Sequence, residues 1–133
     1  MGFLLDTNTC IYLIKKKPLS VLKKLESLSP EDVAISAITL SELFYGVEKS
    51  QRKSENEEAL ALFLSPLQVF PFETRAARAY GEIRADLERK GATIGSLDMM
   101  IAAHALSLGW SCVTNNEREF KKVAGLKVVN WVK

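Results

Sequence analysis

The chain has little of what metal-stapled or secreted proteins are built from. It carries one histidine and two cysteines in 133 residues, with no CxxC motif or Cys/His cluster, which excludes a structural zinc site. Cys10 and Cys112 each sit among apolar neighbours and are expected to be reduced core thiols. No stretch approaches the ~18 consecutive apolar residues of a membrane-spanning helix. The apolar run at the start is broken by Asp6 and followed by Lys15, Lys16 and Lys17, whereas a secretory signal carries its positive charge first. A cytoplasmic protein is therefore expected. Neither sign of charge dominates: 18 basic residues against 16 acidic ones leave a net charge of +2, which permits a polyanionic partner without demanding one. Repeats, linkers and low-complexity tracts are missing too, so residues 1–133 read as one domain.

What is present is a regular alternation of short apolar runs with helical periodicity. Gly2–Leu5 reads as a buried strand, Asn8–Lys16 as a helix stopped by Pro18, and Leu19–Leu28 as a second helix. A strand at Asp32–Ile35 leads into a helix over Ile38–Glu48, with Arg52–Leu64 as its hairpin partner. Leu67–Phe70 is a strand between prolines. Glu73–Lys90 is a long amphipathic helix, with Ala76, Tyr80, Ile83 and Leu87 on one stripe and Gly91 just beyond its end. Ser96 is placed to cap a helix running to Leu108. A strand at Ser111–Val113, a short helix near Glu117–Val123 and a strand at Lys127–Val129 complete the chain. This pattern predicts an α/β fold, a mostly parallel central sheet of about four or five strands flanked by helices. In such sheets the working residues lie beyond the carboxyl ends of the strands.

Most acidic residues lie in charged, solvent-like stretches, but three do not. Asp6 ends the strand FLL, Glu42 sits inside AISAITLSELFYGV, and Asp98 sits in IGSLDMMIAAHAL, which is apolar on nearly every side. A buried carboxylate needs a cation, a proton or several donors. Asp6 follows a strand, Glu42 is expected in the opening turn of the helix after the next strand, and Asp98 in the opening turn of its own. All three therefore point to one cleft. Asn116 or Glu119, in VTNNEREF directly after a strand, is the candidate fourth contributor. Each acid alone has a structural explanation as a cap or a helix-dipole partner; the joint pattern favours a site. Oxygen ligands without histidine or cysteine suit a hard cation, Mg²⁺ or Mn²⁺, of the kind that assists phosphodiester hydrolysis.

At these residues the chain resembles a known family. LLDTNTCIYLI, ITLSELFYGVEKS, GATIGSLDMMIAAHALSLG and VTNNEREFKKVAGLKVVNW are similar, in order and spacing, to the four blocks of PIN-domain toxins of the VapC type. The resemblance implies a metal-dependent endoribonuclease, the toxin of a type II toxin–antitoxin system, whose conserved acids fall on Asp6, Glu42 and Asp98. The fourth acidic position of the family is Asn116 here, a poorer metal ligand, with Glu119 as the alternative source of charge. Thr7, Asn8, Ser41 and Thr114 match polar positions that orient carboxylates or waters. By the same resemblance, Asp6 and Asp98 hold Mg²⁺, while Glu42 completes the shell and helps to deprotonate the attacking water. Cleavage leaves a 5′-phosphate and a 3′-hydroxyl. The implied substrate is a tRNA anticodon stem-loop, that of initiator tRNA first. The implied partners are a VapB-type antitoxin and a second copy of the chain, the latter through Leu43, Phe44, Val47, Leu60 and Phe63, residues that alternatively fill the monomer core.

Other features divide between site and scaffold. Lys15–Lys17 with Lys23 and Lys24 either contact RNA phosphates or finish their helices. Arg75, Arg78, Arg84, Arg89 and Lys90 carry the same ambiguity. His104, on the Asp98 helix, reads as a core residue rather than a general base. Trp110, Trp131, Tyr12 and Tyr45 have apolar neighbours that favour packing over base stacking. A haloacid-dehalogenase-type phosphatase also starts from a strand-end Asp, but its second Asp would stand where this chain has Asn8. A PIN fold kept for binding alone, or a PIN nuclease of RNA maturation, are the remaining alternatives; the three intact acids speak against the first.

Overall fold

The computed structural model describes residues 2–133. Among these, five short strands form one parallel sheet: β1 (Phe3–Leu5), β2 (Val33–Ser36), β3 (Gln68–Phe70), β4 (Ser111–Val113) and β5 (Val128–Val129), in the order β3-β2-β1-β4-β5. β1 is central, paired with β2 on one side and β4 on the other. Leu4 and Leu5 are fully buried, with Leu4 in register with Ala34 on one side and Cys112 on the other. Successive strand residues face opposite sides, so the sheet divides two cores. Leu4, Ala34 and Cys112 join Ile83, Leu87, Ile101 and Phe120 on one face. Leu5, Ile35 and Val113 join Leu13, Val21, Leu43 and Leu60 on the other. Each fully buried Leu or Ile contributes about 1.5–3 kcal/mol of hydrophobic free energy. Both cysteines are free and buried, as expected.

The helices are α1 (Thr7–Lys15), α2 (Leu19–Glu26), α3 (Ala37–Glu48), α4 (Lys53–Leu64), α5 (Thr74–Arg89), α6 (Ser96–Leu108) and α7 (Glu117–Phe120), with one 3₁₀ turn at Pro30–Asp32. None is long and apolar enough to cross a membrane. α5 buries Ala76, Ala79, Ile83 and Leu87 and ends where Gly91 takes φ +63°, letting the Ala92 N–H reach the Leu87 carbonyl. α6 is buried on nearly all sides, including Met99, Ile101, Ala102, Ala103, His104 and Ala105. Gly2 lies against the face of Trp110, and a Cβ there would collide with the indole.

Beyond shifts of one to three residues at element ends, such as α7 stopping at Phe120 rather than Val123, two differences from the sequence expectation bear on the site. Ser96 is the first residue of α6 and makes no capping bond; Gly95 occupies the cap. Glu42 is the sixth residue of α3, hence in its second turn, because the helix starts directly at the end of β2. That start is fixed by Ser36, whose Oγ accepts the Ile38 N–H at 3.0 Å and lies 2.8 Å from His104 Nδ1. One serine hydroxyl thus serves both the imidazole and the helix cap. Phe72 meets the same imidazole edge-on at 5.4 Å. Burial holds the His104 pKa below its usual value, so the ring stays neutral beside the positive end of α3. His104 is a core residue, as its apolar helix implies. Ser36→Ala removes the cap and strands the histidine, and is expected to lose about 1–2 kcal/mol in urea unfolding.

Candidate active site

The carboxyl ends of β1, β2 and β4 open on one side of the sheet, and the acids gather there. Asp6 follows β1 and is 3% exposed. Its backbone continues the sheet by donating to the Val113 carbonyl at 3.0 Å, while its Oδ1 accepts the Thr9 N–H at 2.8 Å and caps α1. The Thr114 hydroxyl, at the end of β4, is a further donor to this carboxylate. Burial still raises the Asp6 pKa, and the bonds from Thr114 and Thr9 offset only part of that. Glu42 reaches the same place from α3, where its Oε1 accepts the Thr7 hydroxyl at 2.5 Å. The first residue of α1 thus braces the carboxylate of another helix.

Asp98, in the first turn of α6, is the most perturbed acid of the cluster. Its pKa is pushed up to about 6, first by burial and then by the charges of Asp6, Glu42 and Glu119, and no cause acts in the opposite direction. Four acids therefore share one field without a basic residue to compensate Asp98. All candidate donors are oxygens, a set that suits a hard dication. Among the described residues no three acidic, histidine or cysteine side chains close into a ligand shell.

The remaining sequence candidates divide. Thr7 and Thr114 touch the acids as expected. Glu119, half-buried on α7, contributes charge at Asp98 and also pairs with Lys122 at 3.4 Å. Asn116 is exposed at the start of α7, and its N–H bonds the Thr114 Oγ1 at 2.9 Å. Asn8 is exposed in the first turn of α1. Ser41 directs its hydroxyl to the Ala37 carbonyl of its own helix at 3.0 Å. Thr9 was not singled out from sequence, although D-x-x-T is the spacing of a helix cap and its third residue. Asn115 and Asn130 also border the loop after β4, and nothing in their composition marked them.

Part of the expected dimer surface is core. Leu43, Val47 and Leu60 are buried and Phe63 packs against the same cluster, because the α3–α4 hairpin closes onto α1. Phe44 alone of the five is exposed. Beside Glu42 that hairpin leaves a groove of about 230 Å³ lined by Ile11, Ile14, Lys15, Leu43 and Leu60. A larger hollow of about 390 Å³ near His104 and Arg75 is lined by none of the four acids. Three of the four arginines of α5 have partners within the fold: Arg84 with Glu88, Arg89 with Asp86, and Arg75 with the Ser107 carbonyl. Trp110 packs on Phe70 and Trp131 on Phe3, so both are scaffold.

The field around Asp98 has a measurable consequence. Its folded pKa of about 6 exceeds the ordinary 3.8, so the folded state holds the proton more tightly and this group costs stability as pH rises through that window. With divalent ions chelated, Asp98→Asn is expected to raise the melting temperature. The gain over wild type should widen between about pH 4 and about pH 7.5. Comparing the two proteins at each pH cancels the opposite contribution of His104.

Comparison with known proteins agrees with this geometry. The family model described as PIN domain matches residues 3–126. The chain is 45% identical over 134 residues to Ribonuclease VapC2 of Rickettsia felis, covering 100% of each. It is 46% identical over 131 residues to the tRNA(fMet)-specific endonuclease VapC of Salmonella typhimurium, covering 98% of each. The structure of DNA-bound VapBC from Salmonella typhimurium superposes with a TM-score of 0.93 at 45% identity, covering 98% of both chains. The order of the strands, the acids at their carboxyl ends and these full-length similarities place the chain in the PIN-domain family, among the VapC-type ribonucleases.

Proposed function

We propose that the chain is a Mg²⁺-dependent endoribonuclease that cuts tRNA, initiator tRNA foremost, and acts as a translation-inhibiting toxin held in check by a VapB-type antitoxin. The observation that carries the chemistry is Asp98, crowded by Asp6, Glu42 and Glu119 with no compensating cation. Asp6 and Asp98 present the oxygens that would hold the ion. Bound there, Mg²⁺ would neutralise charge on the scissile phosphate and lower the pKa of a water, with Mn²⁺ able to replace it. Glu42, braced by Thr7, takes the proton of the attacking water. Oxygen adds to phosphorus in line, the bond to the 3′ oxygen breaks, and that oxygen takes a proton from solvent water to leave as a hydroxyl. Lys15, on the groove beside Glu42, offers a cation to a neighbouring phosphate.

The substrate rests on the Salmonella relative, named for tRNA(fMet), and the antitoxin on solved VapBC complexes of similar chains. The groove beside Glu42 is the apolar seat proposed for the antitoxin tail. The compartment proposed is the cytoplasm, a reading supported by the tRNA named for the Salmonella relative.

Purified, antitoxin-free chain incubated with total tRNA and Mg²⁺ is expected to give discrete cuts. EDTA should abolish them, and Asp6→Ala should reduce the rate by more than about 100-fold. A folded wild-type chain that cuts nothing with Mg²⁺ would leave a binding module as the better reading. A homodimer is proposed through the exposed residues of the α3–α4 hairpin, Phe44, Tyr45 and Leu62. Light scattering should then report a dimer for wild type and a monomer for Phe44→Glu; a dimeric variant would place the interface elsewhere.

A further inference from the structure

The loop between β4 and α7 supplies Thr114 to Asp6 and leads into the helix that carries Glu119, yet it is short, polar and mostly exposed. Its shape is held from both flanks. On one flank, the Asn115 amide donates to the Tyr12 hydroxyl of α1 at 3.3 Å. On the other stands Asn130, directly after β5. The Asn130 amide nitrogen donates to Asn115 Oδ1 at 3.1 Å and to Glu117 Oε2 at 2.9 Å. Its own oxygen accepts the Val132 N–H at 2.9 Å.

Both amide protons and the amide oxygen are therefore used, and the orientation is determined: flipped, the amide would set its oxygen against two acceptors. Asn130 spans the two residues that flank Asn116. The Asn116 N–H in turn bonds the Thr114 hydroxyl at 2.9 Å, and that hydroxyl bonds Asp6. Hydrogen bonds, joined through the backbone of residues 115–117, thus connect the end of β5 to the buried carboxylate that follows β1. Lys121 and Lys133 hold Glu117 at 3.2 Å each, so the tail and the start of α7 are fastened at one point.

We propose that Asn130 is a positioning residue for the active site, fixing the loop at residues 114–117 so that Thr114 aims the Asp6 carboxylate and the acids accept a divalent ion. The proposal rests on the nuclease reading above for its rate arm, but not for its ion-binding arm. Residues that orient metal ligands from behind alter affinity or rate by about 10–100-fold, and Asn130 belongs in that range although it touches neither ion nor substrate.

The test uses a reversal of polarity. Asn130→Asp keeps shape and the Val132 contact but opposes a carboxylate to Glu117. It is expected to cut kcat on tRNA about 10–100-fold with KM little changed, and to weaken Mn²⁺ binding to the free protein, read by titration calorimetry, by a similar factor. The double variant Asn130→Asp, Glu117→Gln rebuilds the network with donor and acceptor exchanged. The new amide at 117 donates to the new carboxylate at 130, and the Asn115 amide turns to donate there while accepting from Tyr12. It should recover most of both losses. Asn130→Ser keeps an acceptor for Val132 but cannot span both partners, and should show the same losses without added charge should the aspartate disturb folding. Wild-type Mn²⁺ affinity in Asn130→Ser, or losses in Asn130→Asp that the double variant leaves uncorrected while both proteins melt as wild type does, would overturn the proposal. If wild type binds Mn²⁺ but cuts no tRNA, the nuclease reading falls and the calorimetric arm still decides the role of Asn130.

Discussion

A carboxylate buried at the end of the central strand constrains most of this molecule. Asp6 is 3% exposed, and a negative charge so placed is tolerated only with donors around it or a cation before it. The chain supplies donors from two directions: the first turn of α1 caps back onto Asp6, and Thr114 reaches it from β4. Meeting that one demand fixes where α1 begins, how β1 and β4 align, and which face of the loop after β4 turns inward. The donors do not cancel the cost of burial, so the site stays poised to accept positive charge.

Around this point the parallel sheet acts as an alignment device. Strands running the same way deliver their following residues to one edge, so acids far apart in sequence converge without any local motif joining them. Burial first, and then repulsion within the group, raises Asp98 to about 6. Stability and function oppose each other here: the cluster is unfavourable in the bare fold, and the two apolar cores on either face of the sheet sustain it. The Ser36–His104 pair serves the same end from behind, since it fixes the start of α3 and through it the reach of Glu42.

Much of this was legible from residue order. Strands such as FLL and SCV are short, largely apolar runs, α5 announces itself by periodicity and α6 by its unbroken apolar character, and a glycine follows each helix. Asp6, Glu42 and Asp98 stood out because each is an acid in apolar company. The errors came where one residue type serves two purposes. Ser96 has the chemistry of a cap, but tertiary packing starts the helix one residue earlier and leaves Gly95 there. Leu43, Val47 and Leu60 are apolar on a hairpin, and periodicity does not say whether such a face meets a neighbour or its own core. The helix α1, packed beneath them, answers that.

The sequence by itself determined the alternation of strands and helices, the parallel character of the sheet and the identity of the acids, because burial patterns and the cost of a misplaced charge are local in their signature. The tertiary structure alone decided that Glu42 leans on Thr7, that Glu119 lends its charge to Asp98, and that Asn130 straps the loop between Thr114 and Glu117. Those contacts join residues distant in the chain or lying on exposed polar stretches. A hydrogen bond between such residues leaves no trace in hydrophobic periodicity, since its strength depends on a distance and an angle that only the folded chain sets.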